Sequence, residues 1–509
     1  MEGWRRKLTH GVMAGWVRAC GVAIFRQTPG PWVGVANHDH PWDWLVLAPF
    51  LPSGTILALH PGEMPGRRLR AWFDWLTFVS LDPLDPGQLK PLVRQLKEGG
   101  RVALFPGGGG FGDGAAGRIQ AGFARLPVMA GVPVIPVWLQ HTVWWRIGLR
   151  PKVRLTVHAP RTLELPPLAD RQQAAELAMT ALLEEAGLLA HGQPATLWEA
   201  ACQAAAVRGR GVPVIEDSSG LRLTYGAWLA RSRILGRVLQ RYSMPGERVG
   251  VLLPTTAGAM VVLFALFATG RVPALLNFSA GVATVRSACR TARVRTVLTA
   301  RRFVDKANLS PLVTELAQDA TVIFLEDLAP EARHPWNLVM GWLASRLTLP
   351  SPASAGEEAV ILFTSGTEGE PKGVALSHAA LLANIRQVQV RVGLLASPGQ
   401  DRMLDVLPLF HAFGLTVAAL APVLSGVPVF LHPSPLDYRA IAEIAQRIRP
   451  TLLVGTDTFL AGYGRVAHPG DFRSLRLVFA GGEPMRETTR QLWLNKFGVP
   501  LFQGYGATE

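Results

Sequence analysis

Cysteine is nearly missing from this chain: three in 509 residues, Cys20, Cys202 and Cys289, far apart in sequence. That scarcity excludes a disulfide framework, and the spacings match no zinc pattern, so a reducing compartment is expected. Acidic residues are also short, 37 Asp and Glu against 51 Lys and Arg, for a net charge of +14. Before residue 162 the counts are 19 basic against 9 acidic, so most of the excess belongs to the first third. That segment is rich in Trp as well, which suits an anionic membrane surface, an acidic carrier protein or phosphate-bearing substrates. No helix-turn-helix, RNP-like or zinc pattern accompanies the charge, which speaks against nucleic acid as a partner. An uninterrupted membrane span is missing too. The apolar stretches 249–276 and 404–431 are broken by Pro, Gly or His and flanked by strand patterns, so both read as buried core. Arg18 interrupts the apolar part of the first 25 residues and no small-residue cleavage site follows, so export is not expected. No short internal repeat is evident.

What the chain does have is apolar material, 49% of its residues. At 509 residues that is too much for one core, and two or three domains are expected. Trp4, Leu8, Val12, Trp16 and Cys20 recur every four residues, the stripe of an amphipathic helix that either lies on lipid or packs on its own domain. Strand-like runs follow at 32–36, 55–59, 101–105, 134–139 and 153–158. A turn at Pro166-Pro167, a helical Ala/Leu/Glu segment to about Leu189 and then Gly192-Gln193-Pro194 mark a boundary near 193, giving domains 1–192 and 193–509. The second domain alternates again, with strand runs at 248–253, 272–276, 296–298, 321–325, 359–363, 427–431, 451–454 and 475–479. Both domains read as α/β with a largely parallel sheet, whose chemistry belongs on loops leaving the carboxyl ends of strands.

The most informative stretch is Thr364-Ser365-Gly366-Thr367-Glu368-Gly369-Glu370-Pro371-Lys372-Gly373-Val374, after the apolar run Ala359–Phe363 and before a helix opening near Ser377-His378. Gly366 and Gly369 let backbone N–H groups approach phosphate oxygens, the hydroxyls of Thr364, Ser365 and Thr367 donate further bonds, and Lys372 brings a mobile positive charge. The spacing is not that of a Walker loop, and a surface Gly/Ser loop is the plain alternative. The order of residue types resembles the phosphate loop of the adenylate-forming, AMP-binding enzymes. The resemblance continues through Leu407-Pro408-Leu409-Phe410-His411-Ala412-Phe413-Gly414, Phe479-Ala480-Gly481-Gly482-Glu483-Pro484 and Gln503-Gly504-Tyr505-Gly506-Ala507-Thr508-Glu509. It implies that His411 lines an acyl tunnel, that Gly482 and Glu483 sit by an adenine on which Tyr505 stacks, with Gly506 in the same turn, that Thr508 contacts the α-phosphate and that Glu509 binds Mg2+. The implied cofactors are ATP and Mg2+. The implied reaction joins a carboxylate to AMP with loss of pyrophosphate, followed by thiol attack to give a thioester. The family pattern continues past this motif with ribose-binding and hinge residues and a small lid bearing a lysine. The chain stops at Glu509, so little adenylation by these 509 residues alone is expected.

In the first domain His38 and Asp43 form an H-x-x-x-x-D pair just after a strand. The carboxylate can accept the imidazole N–H and fix its tautomer, leaving the other nitrogen to take a proton from an attacking hydroxyl. On spacing alone, a loop histidine beside a capping aspartate fits equally. With Asn37 before the pair, Phe105-Pro106-Gly107-Gly108 after a later strand and Gly131-Val132-Pro133-Val134-Ile135-Pro136-Val137 beyond, the order resembles the glycerolipid acyltransferase family of the lysophosphatidic acid acyltransferase type. His40 is treated as a bystander. The resemblance implies that the pair activates a glycerol hydroxyl against an acyl thioester. The family's Glu, Gly and basic residue after Phe-Pro are replaced by Gly107, Gly108 and Gly109. Weakened or altered acceptor use is therefore expected, with Arg67, Arg68 and Arg118 as candidate replacements for the cation.

The whole therefore resembles a glycerolipid-acyltransferase-like α/β domain followed by the large N-terminal part of an adenylate-forming α/β fold. This is the arrangement of the bifunctional acyl-activating acyltransferases of bacterial inner membranes. It implies a fatty acid, acyl carrier protein or CoA, and a lysophospholipid of the 2-acylglycerophosphoethanolamine type as partners, with peripheral contact at the cytoplasmic face of the membrane. Two rival expectations stand beside it: an acyl-CoA synthetase with another acyl acceptor, and a non-catalytic lipid- or nucleotide-binding remnant.

Overall fold

The computed structural model describes residues 2–14, 17–37, 43–59, 64–81, 86–105, 121–141, 153–161, 193–346, 351–365, 371–392 and 401–509, with six further positions between 178 and 186. It falls into two compact units, Met1–Gln193 with Ala205–Arg210, and Pro194–Ala204 with Gly211–Glu509.

The first unit is built on seven strands, β1 (Val17–Cys20), β2 (Trp32–Ala36), β3 (Thr55–Leu59), β4 (Leu76–Ser80), β5 (Arg101–Leu104), β6 (Val134–His141) and β7 (Val153–Val157). Their order is β1-β7-β6-β2-β5-β3-β4, and only β6 against β7 is antiparallel. All five residues of β2 are buried. Trp32 and Ala36 join one apolar layer with Trp44 and Phe73, while Val33 and Val35 join the opposite layer with Leu89, Leu92 and Leu96. A strand covered on both faces reads as an unbroken apolar run, which is why the central strands are visible in the sequence. The edge strands β1 and β4 are only partly buried and carry no such run, and sequence reading missed both.

The helix Glu2–Ala14 forms as expected, but the stripe through Trp4 does not continue to Cys20, which lies in β1. The stripe also points outward: Trp4, Leu8 and Val12 are exposed, as is Trp72 beside them. The polar side of the helix makes the contact with the unit. Arg5 donates to Ala71 O at 2.9 Å and pairs with Asp74 at 3.2 Å. Arg6 donates to Leu51 O at 2.6 Å, and Trp72 Nε1 donates to Thr9 Oγ1 at 3.0 Å.

After the helix Leu197–Arg208 comes the second unit's hairpin of β8 (Pro213–Asp217) and β9 (Arg222–Thr224). A six-stranded sheet follows, from β10 (Arg248–Val251), β11 (Val272–Leu275), β12 (Thr296–Thr299), β13 (Thr321–Phe324), β14 (Glu358–Ser365) and β15 (Pro371–Ser377), in the order β13-β12-β10-β11-β14-β15. A seven-stranded sheet adds β16 (Met403–Asp405), β17 (Val429–Leu431), β18 (Leu452–Gly455), β19 (Leu477–Ala480) and β20 (Leu501–Gln503), in the order β20-β19-β18-β16-β17-β8-β9. In each sheet the strands are parallel except for the last, β15 and β9. The apolar stretch 249–276 is the strand pair β10 and β11 around the buried helix Ala257–Ala268, and among the described residues no helix is long and apolar enough to cross a membrane.

After β15 the helix His378–Val392 begins on a buried histidine. His378 Nδ1 accepts from Leu197 N at 3.3 Å, and Phe267 packs edge-on at 5.8 Å. Burial pushes its pKa down to about 4, against a smaller opposing pull from Glu357. The folded state keeps this ring neutral while the unfolded chain protonates it near 6.5, so stability falls as pH drops from 6.5 toward 4. His378→Gln should remove about 3 kcal/mol of that acid destabilisation, read from urea unfolding across the window; an unchanged pH slope would contradict the assignment.

Candidate active sites at the carboxyl edges of the sheets

In the first unit β2 and β5 are neighbours running the same way, with Val35 opposite Leu104. The loops after Ala36 and after Leu104 therefore leave side by side at one edge. Asn37 is buried at the start of the first loop and mimics a strand residue. Its Nδ2 donates to Leu139 O at 2.9 Å and its Oδ1 accepts from Leu139 N at 2.6 Å, which ties the loop to β6. Asp43 is fully buried and opens the short helix Asp43–Leu47. His38, His40, the Gly107–Gly110 stretch and Arg118 lie outside the described residues. Arg67 and Arg68 are exposed on the short helix Arg67–Trp72.

In the second unit the phosphate-loop stretch is a hairpin. Thr364 at the end of β14 is directly opposite Lys372 in β15, and Ser365 is opposite Pro371. The tip, with Gly366, Thr367 and Gly369, lies outside the described residues. Lys372 is exposed, and among the described residues no carboxylate pairs with it. The remaining motifs follow parallel strands of the other sheet, so parallelism alone brings them to one edge. Leu407–Gly414 comes after β16, Gly481–Glu483 after β19, and Gly504–Glu509 after β20. Gly504 N donates to Ala480 O at 2.8 Å. Phe413 lies under Gly481, its ring 3.2 Å from where a Cβ would stand.

The two edges are joined by Thr255, buried just after β10. Its hydroxyl donates to Leu407 O at 3.0 Å and accepts from Leu409 N at 3.3 Å. Phe278, beyond β11, meets Phe410 edge-on at 5.1 Å. Between them is a small apolar cavity lined by residues that include Leu253, Leu263, Leu276, Leu409 and Phe410, next in sequence to His411. The His411 ring packs against Phe410 at 4.8 Å, and this crowding pushes its pKa below the ordinary value. The chain then turns into a π-helical segment, Phe413–Leu420, where a Cβ on Gly414 would stand 2.3 Å from Pro408 O. No larger residue fits that approach.

Glu483 is held from behind. Burial favours its neutral form, but hydrogen bonds from Thr458 N at 2.7 Å, from Thr456 and from Thr458 Oγ1 at 3.0 Å outweigh it and hold the carboxyl below its usual range. Its charge thus sits on the N-terminus of the helix Asp457–Val466. Tyr505 is 100% exposed, Gly506 and Glu509 are exposed, and Thr508 is half-buried. No group of three or more His, Cys, Asp and Glu side chains that could hold a metal occurs among the described residues. A lone hard carboxylate such as Glu509 fits Mg2+ that arrives with nucleotide phosphates, the usual way that ion is bound. Sequence reading missed Thr255, Thr458 and Asp405. Thr255 and the helix-capping Thr256 are adjacent and alike in sequence, and nothing local tells which one reaches the other sheet.

Two largely parallel sheets with the motif-bearing loops gathered at their carboxyl edges make the second unit an α/β fold of the kind that binds ligands at those edges. A family model described as AMP-binding enzyme matches residues 202–509, and one described as acyltransferase matches residues 25–140. The chain belongs to the AMP-binding enzyme family and carries an acyltransferase segment ahead of that part. It is 31% identical over 167 residues to the long-chain-fatty-acid–CoA ligase of Escherichia coli O6:H1, covering 32% of this chain and 30% of that one. It is 30% identical over 297 residues to a feruloyl-CoA synthase of an Amycolatopsis species, covering 57% of this chain and 55% of that one. The chain thus spans about a third of the length of the first relative and about half of the second. Among solved structures, VinN with L-aspartate superposes with a TM-score of 0.53 at 20% identity over 62% of this chain and 76% of that one, a likeness of fold.

Asp405 supplies a test of how the Leu407 loop is held. It is fully buried, Oδ1 accepts from Leu407 N at 2.9 Å, and Oδ2 has no hydrogen-bond partner among the described residues. Burial pushes its carboxyl well above the ordinary 3.8, with only the Leu407 amide opposing. The unfolded chain ionises first, so this group costs stability as pH rises above 3.8 toward its folded pKa. Asp405→Asn should equal or exceed wild-type stability at neutral pH, with the difference shrinking toward acid; a variant much weaker at every pH would show that the charged form is needed.

Proposed function

We propose that the chain activates a fatty acid with ATP in its second unit and transfers the acyl group to a lysophospholipid in its first. The carrying observation is the meeting of the two carboxyl edges at Thr255, beside a hairpin that sets Thr364 against Lys372. Family membership, with an acyltransferase segment ahead of the AMP-binding part, supports the pairing of the two steps.

In the first step a fatty carboxylate oxygen attacks the α-phosphorus of ATP and pyrophosphate leaves. Lys372, Thr364 and Ser365 would hold the departing phosphates together with Gly366, Thr367 and Gly369. Thr508 would contact the α-phosphate, and Tyr505, Gly506, Gly482 and Glu483 would frame the base, with the acyl chain near His411. Glu509 would hold Mg2+, which offsets phosphate charge when bound. A thiol sulfur then attacks the acyl carbonyl, forming a thioester and releasing AMP. In the second step His38, oriented by Asp43, takes the proton of a lysophospholipid hydroxyl. That oxygen attacks the thioester carbonyl, and the thiolate leaves and recovers a proton.

We place the thiol on acyl carrier protein and the acceptor in the 2-acylglycerophosphoethanolamine class, as in the bifunctional acyl-[acyl-carrier-protein] synthetase/2-acylglycerophosphoethanolamine acyltransferase that the fusion resembles. CoA is the second reading, favoured by the names of the ligase relatives. Contact with the cytoplasmic face of a bacterial inner membrane fits the outward stripe of Trp4, Leu8 and Val12, with exposed Lys7 on the same helix.

Two measurements test the halves separately. Lys372→Ala should weaken ATP binding by roughly 10- to 100-fold in calorimetry, the loss of one charge-assisted contact; unchanged affinity would remove the hairpin from the nucleotide site. His38→Ala should lower acyl transfer from acyl carrier protein or CoA thioester to lysophosphatidylethanolamine by about 10²- to 10⁴-fold, and equal rates would end the catalytic assignment.

A further inference from the structure

The helix Pro335–Arg346 in the second unit is built the wrong way round for a soluble surface. Trp336 is 60% and Val339 55% exposed, and Leu338, Trp342 and Leu343 are exposed as well. At 100° per residue these five fall on one continuous arc, roughly 160° wide, in which the last residue, Arg346, is the one polar position. The opposite arc makes the contact with the unit and contains Asn337. Asn337 Nδ2 donates to Glu331 O at 3.0 Å, and a Cβ on Gly341 would come within 2.2 Å of Ile234 Cγ1 on the helix Tyr225–Leu239. Gly341 lets the two helices touch, which fixes the apolar arc outward.

The charges that flank the helix directly in sequence are basic. Arg333 and His334 precede the helix, Arg346 ends it, and no Asp or Glu occurs between Glu331 and Glu357. At 12 residues the helix is about 18 Å long, well short of the ~30 Å hydrocarbon core. A protein interface of standard size carries a polar rim with paired hydrogen bonds, and this arc has a single polar position, Arg346, to contribute to one. A short helix whose outer face is apolar up to its last residue, with Trp within it and basic residues next to its ends, has the make-up of a helix lying in the plane of an anionic bilayer.

We propose that the helix Pro335–Arg346 docks the second unit on an anionic lipid surface. Trp336, Leu338, Val339 and Leu343 enter the boundary between headgroups and acyl chains, and the exposed Arg333 before the helix meets lipid phosphates. The docking holds whether or not the unit adenylates a fatty acid, and it is separate from the outward face of the helix Glu2–Ala14. For a unit that takes fatty acids, it sets the protein where such molecules partition.

The test uses the full chain and vesicles of phosphatidylglycerol with phosphatidylethanolamine, with phosphatidylcholine vesicles for comparison. Trp4→Glu with Leu8→Glu first silences the first unit's face. In that background the chain should still float with the anionic vesicles, and adding Trp336→Glu with Val339→Glu should lower partitioning by roughly tenfold or more. All four positions are exposed, so the melting temperature should stay close to that of the wild type. Hydrogen–deuterium exchange on the unmodified chain gives an independent reading: residues 333–346 should gain protection with anionic vesicles and not with phosphatidylcholine. Unchanged partitioning in the quadruple variant would overturn the proposal. Protection already complete without vesicles would do the same, showing the face covered by the chain itself, as would protection by an acidic helical protein and not by lipid.

Discussion

One buried hydroxyl holds the second unit's working edge together. Thr255 leaves the carboxyl end of a strand in the six-stranded sheet and bonds to both Leu407 O and Leu409 N in the seven-stranded sheet. Each bond contributes only about 1 kcal/mol net, but losing the hydroxyl leaves two buried backbone groups without a partner, at about 1–3 kcal/mol each. The cost of separating the edges is therefore larger than the bonds themselves suggest. Phe278 against Phe410 adds an apolar contact across the same line.

Behind that seam, short polar side chains hold each loop by its backbone. Asp405 takes the Leu407 amide, Thr456 and Thr458 take Glu483, and Asp457 takes the Arg486 amide at 2.9 Å. In the first unit Asn37 does the same for the loop that leads to His38, by pairing with both backbone groups of Leu139. These residues fix the loops in place and leave their outward groups, such as Lys372 and Tyr505, exposed to solvent. A site meant to take a large, charged nucleotide from water gains from this arrangement, since rigid backbone lowers the ordering cost of binding.

Much of this was legible in the sequence because burial on two faces leaves a strong mark. The central strands β2, β3, β10, β11 and β14 are apolar runs that the sequence shows at nearly their observed bounds, and the helix expected after the phosphate-loop stretch begins at His378. The return strand β15 was not read, since its residues after Pro371 are largely exposed and it pairs on one side only. Short strands such as β16 and β20, three residues each, carry too little pattern to stand out. The stripe of the first helix was visible, but not that its polar side would face inward, because Arg5 and Arg6 find partners 45 to 69 residues away. Long-range partners of that kind, like the reach of Thr255 across 152 residues to Leu407, have no local signature.

The same inversion in two helices, one in each unit, is a second regularity of the molecule. The proposed chemistry depends on the seam at Thr255 forming a nucleotide cleft. Hydrogen–deuterium exchange of the full chain, with and without ATP and Mg2+, reads that most directly. The account predicts new protection gathered in 364–372, 405–413, 480–483 and 503–508, stretches far apart in sequence and brought together only by the two edges. Protection confined to one sheet, or none in these stretches while ATP binds, would contradict it.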